Sequence, residues 1–98
     1  MNAKFLTPAQ AEVREIIAYY NQQREGLGLE FALELKQALL RIRNYPTAWS
    51  PLSSRVRRCL INRFPYSEIY EVRSDLLIIA AIQHHSKEPN SWRNRITD

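Results

Sequence analysis

Leu76-Leu77-Ile78-Ile79-Ala80-Ala81-Ile82-Gln83, written LLIIAAIQ, is the longest apolar run in the chain. Its length suits a strand, and it offers no polar residue to water on either side until Gln83. A strand apolar on both faces is covered on both, so this run belongs mid-sheet with something packed above and below it. Two upstream segments, Val56 to Asn62 (VRRCLIN) and Tyr66 to Val72 (YSEIYEV), are rich in β-branched, aromatic and alternating residues and read as its partners. Ser74-Asp75 supplies a two-residue hairpin turn between the last two strands.

Before the strands the apolar period is helical. After a short opening, Ala3 to Leu6, Thr7-Pro8-Ala9-Gln10 reads as a helix start with Thr7 as cap, Pro8 at the first helical position and Gln10 completing a capping box. Val13, Ile16, Ile17 and Tyr20 then fall on one face, while Glu12, Arg14 and Glu15 are assigned to solvent. This helix runs to about Gln23. A break at Glu25 to Gly28 leads to a second helix with Phe31, Leu35, Ala38, Leu39 and Ile42 on one side, stopped at Tyr45-Pro46 because the residue before proline is pushed out of the helical region. So short a connection predicts an antiparallel helical hairpin. Residues 46–54 read as loop, and about 88–98 as a loosely held tail.

A chain of 98 residues fits one domain over residues 1–98, with one core. The residue order predicts an α+β fold, β-α-α-β-β-β, in which a small antiparallel sheet carries the helical hairpin on one face. Hydrophobic residues make up 45% and charged residues 24%, which excludes a disordered chain. With neither an apolar run of about 18 residues nor a signal-peptide core, the expected location is the cytoplasm. Cys59 is the single cysteine, so no internal disulfide forms, and RCLI around it reads as a small buried hydrophobe.

Charge is unevenly placed. Residues 1–54 hold six Lys/Arg against five Glu (net +1), and residues 55–98 hold eight against five Asp/Glu (net +3). That bias favours an acidic partner, either nucleic acid or an acidic protein.

The order of these elements and several strings resemble the RelE/ParE family of toxins from bacterial type II toxin–antitoxin systems. The matching strings are Ile17-Ala18-Tyr19-Tyr20, Leu27-Gly28 with Phe31 and Leu35, Ile42 to Pro46, Arg57-Arg58, Arg63-Phe64-Pro65-Tyr66 with Ile69 and Tyr70, and then Ala81, His84, Pro89, Trp92 and Arg95. The resemblance implies a sheet with two helices packed on it and a cognate antitoxin, often acidic, that wraps the toxin and covers the second face. RelE-like members cut messenger RNA in the ribosome, whereas ParE-like members poison DNA gyrase. The Tyr-Tyr helix and the Arg-Phe-Pro-Tyr string look more like the ParE side. An inhibitor of gyrase is therefore the leading expectation, an mRNA endoribonuclease the alternative, and a non-toxic basic domain of the same fold a third.

Cleaving RNA through its 2′-hydroxyl needs a base, cations for the charged phosphorane and an acid for the leaving oxygen. If the protein is a nuclease, His85, Arg63 and Lys87 are the candidates for that work. RelE-like nucleases resemble one another in a C-terminal tyrosine or histidine, which RNRITD lacks, and Ser86 and Lys87 stand where many relatives carry two arginines. For contacts to target or antitoxin the candidates are Arg57, Arg58, Tyr66, Tyr70, His84, Trp92, Arg93 and Arg95. Each has a plainer reading. An arginine of the pair 57–58 can bridge to Glu68 or Glu71 across the hairpin, the tyrosines can pack cross-strand, and His84 can be a strand-end histidine hydrogen-bonded to backbone. No metal site is expected from His84-His85, since adjacent strand residues face apart, and no cofactor is expected.

Overall fold

The computed structural model describes residues 1–96. In chain order it comprises β1 (Asn2–Phe5), α1 (Thr7–Gln23), α2 (Leu27–Asn44), β2 (Ser50–Pro51), β3 (Val56–Leu60), β4 (Tyr66–Arg73), β5 (Leu76–His84) and a closing 3₁₀ turn, Arg93–Arg95. The strands form one sheet in the order β1-β5-β4-β3-β2, with the two helices packed on it. This is the α+β architecture expected from the sequence, with two refinements. β1 runs parallel to β5, so the sheet is antiparallel only from β5 onward. The segment read as loop contributes β2, two residues paired with Arg57 and Arg58.

The run LLIIAAIQ is β5, flanked by β1 on one side and β4 on the other. Leu77, Ile79 and Ile82 join the cluster under the helices, with Ile16, Phe31, Leu35, Ala38 and Ile42. Ala80 and Ala81 both join a second cluster instead. Strict alternation would part these two neighbours. They stay together because the pairing slips at this point: Ile69 faces Ala81 and Tyr70 faces Ile79, leaving Ala80 as an unopposed bulge residue. The Ser74-Asp75 turn has the left-handed φ (55°) at Ser74 that a two-residue hairpin turn needs.

The helices form the expected hairpin. At its tip Gly26 adopts φ 84°, and the Gly28 amide donates to Asn21 Oδ1 at 2.8 Å. A Cβ on Gly28 would lie 2.6 Å from the Ile17 carbonyl oxygen, so the two helix backbones approach closely only because that atom is absent. The start of α1 differs from the capping box. Leu6 occupies the cap position without a side-chain bond, Thr7 is already helical, and Gln10 reaches back to donate to the Phe5 carbonyl at 2.9 Å.

The largest difference lies at the C-terminus. The stretch read as a loosely held tail turns back across the sheet face opposite the helices, although its last two residues lie outside those described. Trp92 is 1% exposed and packs with Ile96 against Val56, Ile69, Ala80 and Ala81. Its indole N–H donates to the Pro89 carbonyl at 2.9 Å, which supplies the polar partner a buried tryptophan needs. The second face of β5 is thus covered, at least in part, by the chain's own end rather than by a partner.

Arg95 fastens that end. Its two terminal nitrogens bridge both Glu12 carboxylate oxygens at 2.9 and 3.0 Å, and Nη1 also donates to the Ala80 carbonyl at 3.0 Å. Glu12, assigned to solvent by helical period, instead also accepts from the Ile82 amide at 3.1 Å. Replacing Trp92 by alanine removes the largest side chain of the second cluster. The variant is expected to lose about 3–5 kcal/mol of unfolding free energy in urea titrations, a range set by large-to-small aromatic truncation in a core.

Candidate functional site

Facing away from the helices, β3, β4 and β5 present Arg58, Ser67, Ile69 and Gln83, because Arg58 pairs with Ile69 and Ser67 with Gln83. The chain leaving β5 turns over this face. His85 N–H donates to the Pro65 carbonyl and Lys87 N–H to the His84 carbonyl, at 2.9 and 3.0 Å. Gln83 ties the turn down, donating to the Glu88 carbonyl at 3.3 Å and accepting from Ser91 Oγ at 2.9 Å. The result is a notch of about 70 Å³ lined by Leu52, Arg58, Ser67, His85, Lys87 and Pro89, with Ile69, Gln83 and part of His84.

His85 stands beside Ser67, with Nε2 to Oγ at 3.1 Å. Arg58 and Lys87 are exposed, and neither side chain makes a hydrogen bond or ion pair among the described residues. Two unengaged cations and an imidazole thus share one small opening. Beyond Lys87 a separate cleft is lined by Glu12, Glu15 and His84, so acidic groups lie on its far side.

Of the three residues proposed for phosphate chemistry, His85 and Lys87 meet here and Arg63 does not. Arg63 sits in the β3–β4 turn at φ 73°, where it ion-pairs with Glu30 at 2.7 Å and Glu34 at 3.7 Å on α2. The bond from Arg63, with the one from Arg24, holds the Glu30 carboxyl below its ordinary range. The left-handed turn directs Arg63 toward α2, and Arg58 takes the place beside His85.

The contact candidates divide sharply. Tyr70 is fully buried, its hydroxyl donating to the Pro46 carbonyl at 2.6 Å, and burial pushes its pKa up to about 12. Trp92 is core, and Arg95 is committed to Glu12. Tyr70 and Trp92 thus offer almost no surface, and Arg95 is engaged within the chain. Tyr66 packs edge-on against Tyr20, Phe31 and His84 on the helix side. His84 faces Tyr66 and accepts the Ser86 amide on Nδ1 at 3.0 Å, so it and His85 point to opposite faces. Arg57 donates to the Trp49 carbonyl at 2.8 Å, and Arg93 lies over the Trp92 ring at 4.8 Å with its Nε on Asn90. Neither Arg57 nor Arg58 bridges to Glu68 or Glu71. Glu71 is held by Arg73 at 2.8 Å and Arg55 at 3.8 Å, and the Glu68 carboxyl has no hydrogen-bond partner among the described residues. Ser67 was missed because a lone serine in YSEIY carries no signal until β4 and β5 are placed in register.

Among the described residues, no three His, Cys, Asp or Glu side chains converge on a point where a metal ion could sit. The Cys59 thiol is buried, and desolvation raises its pKa, which disfavours the thiolate. No helix of the described chain is long and apolar enough to cross a membrane.

The family model for "ParE toxin of type II toxin-antitoxin system, parDE" matches residues 3–89, from β1 through the turn that forms the notch. The chain belongs to the ParE toxin family. A solved structure described as the chromosomal ParDE TA system from P. aeruginosa superposes with a TM-score of 0.61, covering 86% of this chain and 95% of that one at 20% identity. At that identity the likeness speaks for the ParE fold alone. No curated protein shows comparable sequence similarity.

Glu68 is a further titratable group of this ParE-family chain, outside the notch. Glu68 lies on the helix side of β4, fully buried between Cys59 and Ile82 in the pairing, and desolvation pushes its pKa up to about 8, partly opposed by the Arg41 charge. A carboxyl whose pKa is raised on folding contributes its full stability below the unfolded value, near 4.3, and that contribution is lost as pH rises through 8. Unfolding free energy should therefore fall between about pH 4.5 and pH 8, and Glu68→Gln should flatten that fall in denaturant titrations.

Proposed function

We propose that the protein is the toxin of a type II toxin–antitoxin module, is held inactive by a cognate antitoxin, and acts by binding and inhibiting DNA gyrase. Membership of the ParE family is the observation that carries this reading. The surface supports a bound partner. Leu29, Leu33 and Leu40 are exposed along the outward side of α2, at 62%, 54% and 40%, on the same line as Lys36 and Arg43. Three leucines at helical spacing beside two cations suit an amphipathic acidic segment.

The geometry also favours inhibition over catalysis. The three groups proposed for RNA cleavage are not brought to one place, since Arg63 is tied to α2. The endoribonuclease remains as a second reading, because Arg58 and Lys87 flank His85 beside the Ser67 hydroxyl, an inventory that could hold a phosphate and move a proton.

Both readings are tested together. Induced expression should arrest growth, relieved by the antitoxin encoded beside the toxin, and the purified protein should block supercoiling by gyrase while ribosome-bound message stays intact. Message cleaved by the wild type and spared by His85→Ala, with gyrase unaffected, would replace the first reading by the second.

A further inference from the structure

The notch between β3 and the exit of β5 has the features of a binding site. Arg58 and Lys87 place two positive charges on an opening large enough for one small oxyanion, and nothing among the described residues neutralises either. The acidic groups nearby are otherwise placed. Glu71, on the same face of β4, is engaged by Arg73 and Arg55, Glu12 is engaged by Arg95, and Glu15 lines the cleft on the far side of Lys87. Glu88, in the turn, is exposed and is not among the residues that line the notch.

We infer that this notch seats one carboxylate of an acidic peptide segment from the protein's partner, with apolar neighbours of that carboxylate lying on Leu52 and Pro89. The inference deepens the partner-bound toxin reading and rests on it. Arg58 offers a planar fork that matches a carboxylate, Lys87 a second charge, and His85, steadied by Ser67, closes the polar side. The walls are what separate a peptide from a nucleic acid. A single-stranded nucleic acid would use exposed rings for its bases. At this face Tyr66 is turned to the helix side, and Tyr70 and Trp92 are buried. An apolar wall beside cations suits a glutamate or aspartate flanked by aliphatic residues.

The test uses the full chain and three fluorescent probes in anisotropy titrations at low salt: an octapeptide alternating leucine and glutamate, its counterpart alternating leucine and glutamine, and a decauridylate RNA. The glutamate peptide should bind, the glutamine peptide at least tenfold more weakly. Arg58→Met and Lys87→Met should each weaken the glutamate peptide about tenfold, while Arg14→Met, an exposed cation on α1 outside both candidate surfaces, changes it less than twofold. Both target side chains are exposed, so the variants should keep the wild-type circular dichroism and melting temperature. Equal binding of the two peptides, equal loss in Arg14→Met, or no binding at millimolar peptide would overturn the inference. Tighter binding of the RNA, lost in Arg58→Met and Lys87→Met, would assign the notch to a phosphodiester instead. Whether the protein is a toxin is read separately by growth arrest, so a toxic protein with an empty notch would sink this inference alone.

Discussion

β5 must be dry on both faces, and the rest of the molecule is arranged around that requirement. Burying a methylene is worth about 0.8 kcal/mol, so a strand with Leu77, Ile79, Ala80, Ala81 and Ile82 buried gains only where both sides are covered. The helical hairpin supplies one cover, through Ile16, Phe31, Leu35, Ala38 and Ile42. The C-terminal stretch supplies the other through Trp92 and Ile96. The bulge at Ala80 reconciles the two layers. It lets the small Ala80 and Ala81 lie together under Trp92 while the larger side chains of β5 keep facing the helices.

That arrangement leaves a backbone problem at the sheet edge. β1 pairs with β5 only as far as Phe5 opposite Ile79, so the following stretch of β5 has no strand beside it on that side. The Ala80 carbonyl and the Ile82 amide there are met by Arg95 and Glu12. An unpaired buried backbone group costs about 1–3 kcal/mol, so the Glu12–Arg95 pair does more than join two charges. It replaces the missing strand with side chains and locks the C-terminal cover to α1. The turn between β5 and that cover is thereby drawn over the sheet, and it carries His85 and Lys87 to the side of Arg58 and Ser67.

Much of this was legible in the residues, and the reasons for the rest are physical. The doubly apolar run marks an interior strand, and helical periodicity with Tyr45-Pro46 as a stop marks the hairpin. The role of Trp92 was not legible, because it sits in a stretch with no period and no β-branched neighbours until Ile96, so only the tertiary surface it covers reveals it. Glu12 and Arg95 are 83 residues apart, and nothing local marks them as partners. Arg63 misled because it sits in a turn whose positive φ, invisible in the residue order, directs the side chain to Glu30. For the site, His85, Lys87 and Arg58 were each in view, but their meeting depends on the register of three strands.

The ParE-family fold carries an opening with two cations unengaged among the described residues, on a scaffold closed by its own C-terminal stretch. The scaffold claim is tested most directly by native-state hydrogen exchange. If Glu12 and Arg95 close the edge beyond β1, the Ile82 amide should exchange as slowly as the Ile79 and Leu77 amides in the paired core, and Arg95→Met should release it by orders of magnitude while leaving Leu77 protected. An Ile82 amide that exchanges at solvent-exposed rates in the wild type would contradict the account.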